Sequence, residues 1–294
     1  MSGIEISTLI VLLLVLAAEF VNGWTDAPNA IATVVSTRVL RPYTALLLAT
    51  GLNVAGAFAG QAVAQTIGKG IVQAEIINLR TIATAMIAIV VWSTLAWWRG
   101  LPTSESHGLI AGLSGAAVAT AGWEAVLWEG WRKTLVGLGF STFLGFGGGL
   151  LLMVAIYRFF FHARPELVRR IFGRLQILSA AFMAFSHGNN DGQKFIGVFT
   201  LTLFLGEWIP KFAIPSWVIL VCALTMGLGT AVGGWRIVRT MGLRLTKLQP
   251  VQGFCAETGA ALTIQLASTL GIPLSTTHTI NTAIIGVGAT RGLS

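Results

Sequence analysis

The sequence predicts an all-α integral membrane protein made of two inverted halves, with broken helices or half-hairpins meeting at the membrane midplane. Three observations predict it. Apolar residues make up 54% of the chain and charged residues only 10%, against about 25% charged in an ordinary soluble domain. The apolar residues fall in runs long enough to span a bilayer. Two polar motifs embedded in those runs each occur twice, in the same order.

Nine apolar segments follow one another, at about 6–37, 43–66, 78–98, 102–121, 134–161, 175–205, 213–234, 253–270 and 273–290. The first is long and is expected to break at Gly23–Pro28. The sixth is long and is expected to break at Gly188–Lys194. Segments 102–121 and 273–290 either cross or re-enter as half-hairpins. The opening run Ile6–Val21 reads as a retained helix rather than a signal peptide: Glu5 precedes it in place of a basic region, and no small-residue cleavage site follows. Cys222 and Cys255 lie in separate apolar segments and read as packing residues, since two distant thiols build neither a disulfide framework nor a metal cluster. Gly145–Gly149 reads as a close helix contact; no P-loop lysine accompanies it.

The net charge of +8 does not mark a nucleic-acid binder, because the basic residues sit in short loops between apolar runs. With the N-terminus outside, the inner loops hold thirteen Lys and Arg, the outer loops hold five, and Lys194 is left within the membrane. This follows the excess of positive charge expected in cytoplasmic loops of the plasma membrane. Trp123, Trp128 and Trp131 fall in an outer loop, as an interfacial belt would. The stretch Arg236–Gln252 is basic and mildly amphipathic, suited to lying along the inner surface.

The chain has two aspartates, Asp26 and Asp191, and their surroundings align without gaps: Asn22–Asn29 against His187–Lys194. Leu101–His107 likewise matches Ile272–His278. The aspartates are 165 residues apart and the histidines 171, so both motifs recur at nearly one offset. Five segments separate the two starts, and an odd number turns the second half over. The halves are therefore read as 1–161 and 175–294, joined by a cytoplasmic linker at 162–174. This is the layout of an inverted-repeat transporter, whose substrate sits near the midplane between interrupted helices.

The motif chemistry suits a small anion. Pro102 and Pro273 fit the first turn of a new helix. Ser104, Ser106, Ser275, Thr276 and Thr277 follow directly, and their hydroxyls with the free N–H groups of a helix start make an anion cradle. Asp26 and Asp191 bring negative charge to the same place. An anion beside two carboxylates needs positive charge as well, from a bound cation, from protons or from Lys194. Cation coupling follows from charge balance. Thr25, Asn190, Gln193 and Lys194 join the expected substrate set; Asn22, Asn29 and Asn189 join Asp26 and Asp191 in the expected cation set. His107 and His278 read as helix-capping residues, with metal ligation the alternative. Glu19, Glu105 and Glu257 are further intramembrane acids; Glu19 aligns with Ala184 and Glu105 with Thr276, so these two break the symmetry.

Asn22–Ala30, Gly188–Lys194, the Pro-x-Ser-x-Ser/Thr-His segments at 102–107 and 273–278, and Gly286-Val287-Gly288 together resemble the inorganic phosphate transporter (PiT) family over nearly the whole chain. The resemblance implies phosphate symport with Na⁺ or H⁺, in the second case with a metal–phosphate complex as possible substrate. It also implies elevator-like or rocking alternating access, a homodimer, and no cofactor beyond the coupling ion. Thr25 stands where many sodium-coupled members carry Asn, which leaves the ion open, and some members carry sulfate. A passive channel and an intramembrane hydrolase are the competing classes. Duplicated, inverted motif segments favour a gated carrier over an enzyme. Finally, the second half lacks a counterpart to 134–161, and family members continue past the equivalent of Arg291–Ser294. A further membrane segment of about 20 apolar residues is therefore expected beyond this sequence.

Overall fold

The computed structural model describes residues 3–244 and 248–290. Among these there are thirteen α-helices and no strand. They are α1 (Gly3–Ser36), α2 (Pro42–Ala57), α3 (Ala62–Gly70), α4 (Leu79–Arg99), α5 (Glu105–Ala121), α6 (Trp128–Gly139), α7 (Gly145–Phe159), α8 (Pro165–His187), α9 (Gln193–Leu205), α10 (Ser216–Val232), α11 (Trp235–Arg239), α12 (Pro250–Thr269) and α13 (Thr276–Ala289). Five-residue π turns at Phe140–Leu144 and Gly188–Gly192 join α6 to α7 and α8 to α9 without a loop. Large apolar side chains such as Leu13, Trp92, Phe143, Leu178 and Leu228 are exposed on the outside, where lipid is as good a solvent for them as a protein interior.

Each expected apolar segment becomes helix, but fewer than nine are apolar along a full span. Ile4–Ser36, Leu79–Arg99 and Trp128–Phe159 are long and apolar enough to cross a membrane. The pairs Pro42–Ala57 with Ala62–Gly70 and Ser216–Val232 with Trp235–Gly242, bent by 68° and 58°, add up to two more. Segments 102–121 and 273–290 are the short second arms of helical hairpins. α4 turns back into α5 through Gly100 (φ 69°), and α12 turns back into α13 through Gly271 (φ 66°); both glycines take left-handed conformations that a side chain would disfavour.

Three expectations are corrected. The break at Gly23–Pro28 is absent: α1 runs through Pro28. Proline removes one bond, to the carbonyl of Trp24, and that carbonyl lies against Gly234, where an added Cβ would sit 2.8 Å from it. Gly23 serves close packing instead, since a Cβ there would meet the Met226 carbonyl at 2.2 Å. The break at Gly188–Lys194 is a π turn rather than a gap, and Gly188 packs against the Asn53 carbonyl, 2.1 Å from where its Cβ would be. The linker 162–174 is mostly helix: Pro165 sits in the first turn of α8, after an extended Arg164.

Other expectations hold. Gly145 and Gly149 let α7 approach α13, with the carbonyls of Thr279 and Ala283 within 2.8 Å of the absent Cβ atoms. Cys222 and Cys255 are free and buried. Within Arg236–Gln252, residues from Pro250 onward already belong to α12. Lys247 lies outside the described residues, as does Arg291–Ser294, on which the expected further segment turned.

Candidate functional site

The two hairpin tips are built alike. Ser104 is the N-cap of α5 and its hydroxyl accepts from His107 N at 3.2 Å; Ser275 is the N-cap of α13 and accepts from His278 N at 3.1 Å. Each cap leaves the other first-turn N–H groups without partners inside the helix. The tips touch: Ser106 donates to Leu274 O at 2.7 Å, and the His107 and His278 rings lie 5.0 Å apart. The histidines therefore sit where serine caps and ring packing hold them. His278 Nδ1 is 2.8 Å from Ser275 Oγ.

Against these tips α1 sets Asp26 and Asn29, and the π turn with α9 sets Asp191 and Lys194. Asp26 Oδ1 accepts from Thr277 at 3.2 Å, and Asn29 donates to Thr277 at 2.9 Å and to Thr276 at 3.3 Å. Asp191 Oδ2 accepts from Thr276 at 2.8 Å, and its Oδ1 is paired with Lys194. Lys194 also donates to Ser106 and, at 2.9 Å, to Leu274 O. All of these side chains are at least nine-tenths buried. An unpaired charge would not be tolerated there. Lys194 meets that demand for Asp191, from a helix 88 residues along the chain from Ser106.

His187, which sequence reasoning passed over, stands between the two acids. Thr230 donates to Met226 O at 2.9 Å, so it accepts from Asn53 Nδ2 at 3.1 Å. That fixes the Asn53 amide with Oδ1 toward His187 Nδ1, at 3.1 Å. His187 Nδ1 then carries a hydrogen. Its Nε2, with no hydrogen-bond partner, faces Asp191 Oδ2 at 3.2 Å and Asp26 Oδ2 at 3.9 Å. Asp26, His187 and Asp191 offer one ligand atom each within 4.8 Å of one another, a donor set that can hold a small cation. The signals were in the sequence: His187 aligns with Asn22, and Asn53 is a lone amide in an apolar run.

The remaining expected site residues lie off this centre. Asn22 donates to Glu19 at 3.0 Å. Asn189 donates to Gln265 at 3.2 Å, and Gln193 donates back to Asn189 Oδ1 at 2.7 Å while accepting from Val63 N at 2.9 Å. Asn190 braces the second hairpin through Ser268 at 2.9 Å. Thr25 lies 2.8 Å from Glu105, not on an aspartate. These five tie the motif helices to their neighbours.

The chain matches the phosphate transporter family over residues 22–169 and 162–294. It is 45% identical over 278 residues to a probable low-affinity inorganic phosphate transporter of Rhizobium meliloti, covering 94% of this chain and 83% of that protein. It is 37% identical over 289 residues to a protein of the same description from Bacillus subtilis, covering 97% and 87%. Its fold is similar to a solved structure described as the sodium-dependent phosphate transporter, with a TM-score of 0.90 and 25% identity over 98% of this chain and 90% of that one. The chain belongs to the phosphate transporter family.

Proposed function

We propose that this chain imports inorganic phosphate together with a cation by alternating access. The observation that carries the reading is the meeting of two buried aspartates, one buried lysine and two hydroxyl-bearing helix starts at a single point. Phosphate fits the tips: Ser106, Thr276 and Thr277 offer hydroxyls, and the first turns of α5 and α13 offer N–H groups. The coupling cation fits the acids, with Asp26, Asp191 and His187 as its ligands. Bringing cation and anion in together cancels charge that neither half could bury alone.

In this reading residues 1–161 and 175–294 are inverted repeats, and the site is exposed to each side in turn as one hairpin moves against the motif helices. The N-terminus faces outside, the basic loops face the cytoplasm, and the unit in the membrane is a homodimer. Transport leaves the substrate chemically unchanged, which fits a family of transporters.

The test is uptake of radiolabelled phosphate into proteoliposomes, with a Na⁺ gradient or a pH gradient imposed one at a time. Accumulation above equilibrium under either gradient supports cation-coupled import. Equilibration without accumulation would mean a passive path, and accumulation abolished by excess sulfate would move the substrate to sulfate.

A further inference from the structure

Glu105 is the first residue of α5 and is 3% exposed, yet no ion pair joins it among the described residues. Its two carboxyl oxygens meet two hydroxyls: Thr25 of α1 at 2.8 Å from Oε1, and Ser93 of α4 at 2.5 Å from Oε2. Thr25 Oγ1 is also 2.8 Å from the helical carbonyl of Val21. One hydroxyl hydrogen cannot serve both acceptors. If Thr25 donates to Val21 O, the hydrogen on the short contact to Glu105 has to come from the acid. A protonated Glu105 satisfies every atom: it donates to Thr25 and accepts from Ser93. An ionised Glu105 is satisfied too, once Thr25 turns its hydrogen from Val21 O to Oε1. The site thus accommodates both protonation states with one hydroxyl rotation.

The charged groups around it are those of the phosphate site. Asp26 on α1 and Asp191 on the π turn act on Glu105 electrostatically. Lys194 on α9 donates to the adjacent Ser106. α4 presents the neutral Ser93, and the tip itself carries His107 beside His278 of α13. An open cavity of about 500 Å³ lies against the tip, lined by Thr103, Ser104 and His107 with His278 across; Glu105 lies beneath this lining rather than in it.

We propose that Glu105 is the residue that takes up and releases the coupling proton. It accepts a proton from water in one orientation of the carrier, crosses neutral with phosphate bound, and returns the proton to water on the other side. The second half needs no such acid, because Thr276 occupies the matching position and Lys194 is its fixed cation. This inference rests on the phosphate reading above and takes the coupling ion to be a proton carried on Glu105 rather than a cation held by Asp26, Asp191 and His187.

The test uses the full chain in proteoliposomes with two readouts: phosphate accumulation driven by a pH gradient without Na⁺, and phosphate/phosphate exchange with no gradient. A gradient of about one pH unit with one coupled proton sustains about tenfold accumulation. Glu105→Gln reproduces the protonated acid, its amide donating to Thr25 and its carbonyl accepting from Ser93. It is expected to exchange phosphate but to lose the tenfold accumulation, and Glu105→Asp is expected to restore part of it. Undiminished accumulation by Glu105→Gln would overturn the proposal. So would loss of exchange along with accumulation, which would place Glu105 in anion binding or folding. Wild-type accumulation under a Na⁺ gradient but not a pH gradient would overturn it while leaving phosphate import intact. A wild-type protein that neither exchanges nor accumulates phosphate would overturn the phosphate reading itself.

Discussion

The two hairpin tips have the same architecture and differ in charge. α5 and α13 begin alike, on a serine cap followed three residues later by a histidine whose N–H the cap receives. Beyond the cap they diverge: Glu105 stands where the second tip has Thr276, and Asn29 stands where the second motif has Lys194. The first half therefore holds an acid with only hydroxyls for partners, and the second holds an acid, Asp191, with its own ammonium. The two tips share their backbone course and their caps. Charge is distributed unequally, so each aspartate has a different kind of positive partner: Lys194 for Asp191 and, more distantly, His187 for Asp26.

That difference makes the matched substitutions unequal, and the largest effect falls on the aspartates. Asp26→Asn and Asp191→Asn should both abolish concentrative uptake. Asp191→Asn should also destabilise the protein by about 3–5 kcal/mol, because it strands a buried lysine; Asp26→Asn, whose hydrogen-bond donor is the Thr277 hydroxyl, should cost only about 1 kcal/mol. Thermal unfolding in detergent reads the gap, and equal losses would break the comparison. Next comes Lys194→Gln, which removes the fixed cation. Apparent phosphate affinity should fall by about ten- to a hundredfold, more for the dianion than the monoanion, as a pH series of uptake would show. An affinity unchanged across pH would mean that Lys194 only braces Asp191.

Smaller effects test how similar the tips are. Thr277→Val and Thr276→Val each remove one hydroxyl on one aspartate, and each should weaken uptake about fivefold. Ser104→Ala and Ser275→Ala remove the two caps, at about 1 kcal/mol of stability each. Ser275→Ala should cost slightly more, because its hydroxyl also meets the His278 ring.

The helices, the two motif segments and the hydroxyl tips were legible in the sequence, because apolar runs and a twofold motif survive without any knowledge of contacts. Asp26, Asp191, Lys194, Asn29, Ser106, Thr276 and Thr277 could be named for the same reason. What could not be read was direction. Gly23 and Pro28 look like helix breakers in one dimension, but a neighbouring carbonyl against Gly23 and a glycine beside the Trp24 carbonyl let α1 continue. Asn22, Asn189 and Gln193 carry motif chemistry yet bond to Glu19, Gln265 and Val63, since the neighbour that lies beside each turn of a helix is invisible in a motif. His187 was passed over because its importance comes from Asn53 and Thr230, which are distant in sequence.

The most direct test of the central claim is an experimental structure of the protein with phosphate bound. The account predicts anion density within about 3 Å of the hydroxyls of Ser106, Thr276 and Thr277, beside Lys194 and between the two hairpin tips. Density instead in the outlying cavity lined by Lys69 and Lys211, with the space between the tips empty, would contradict it.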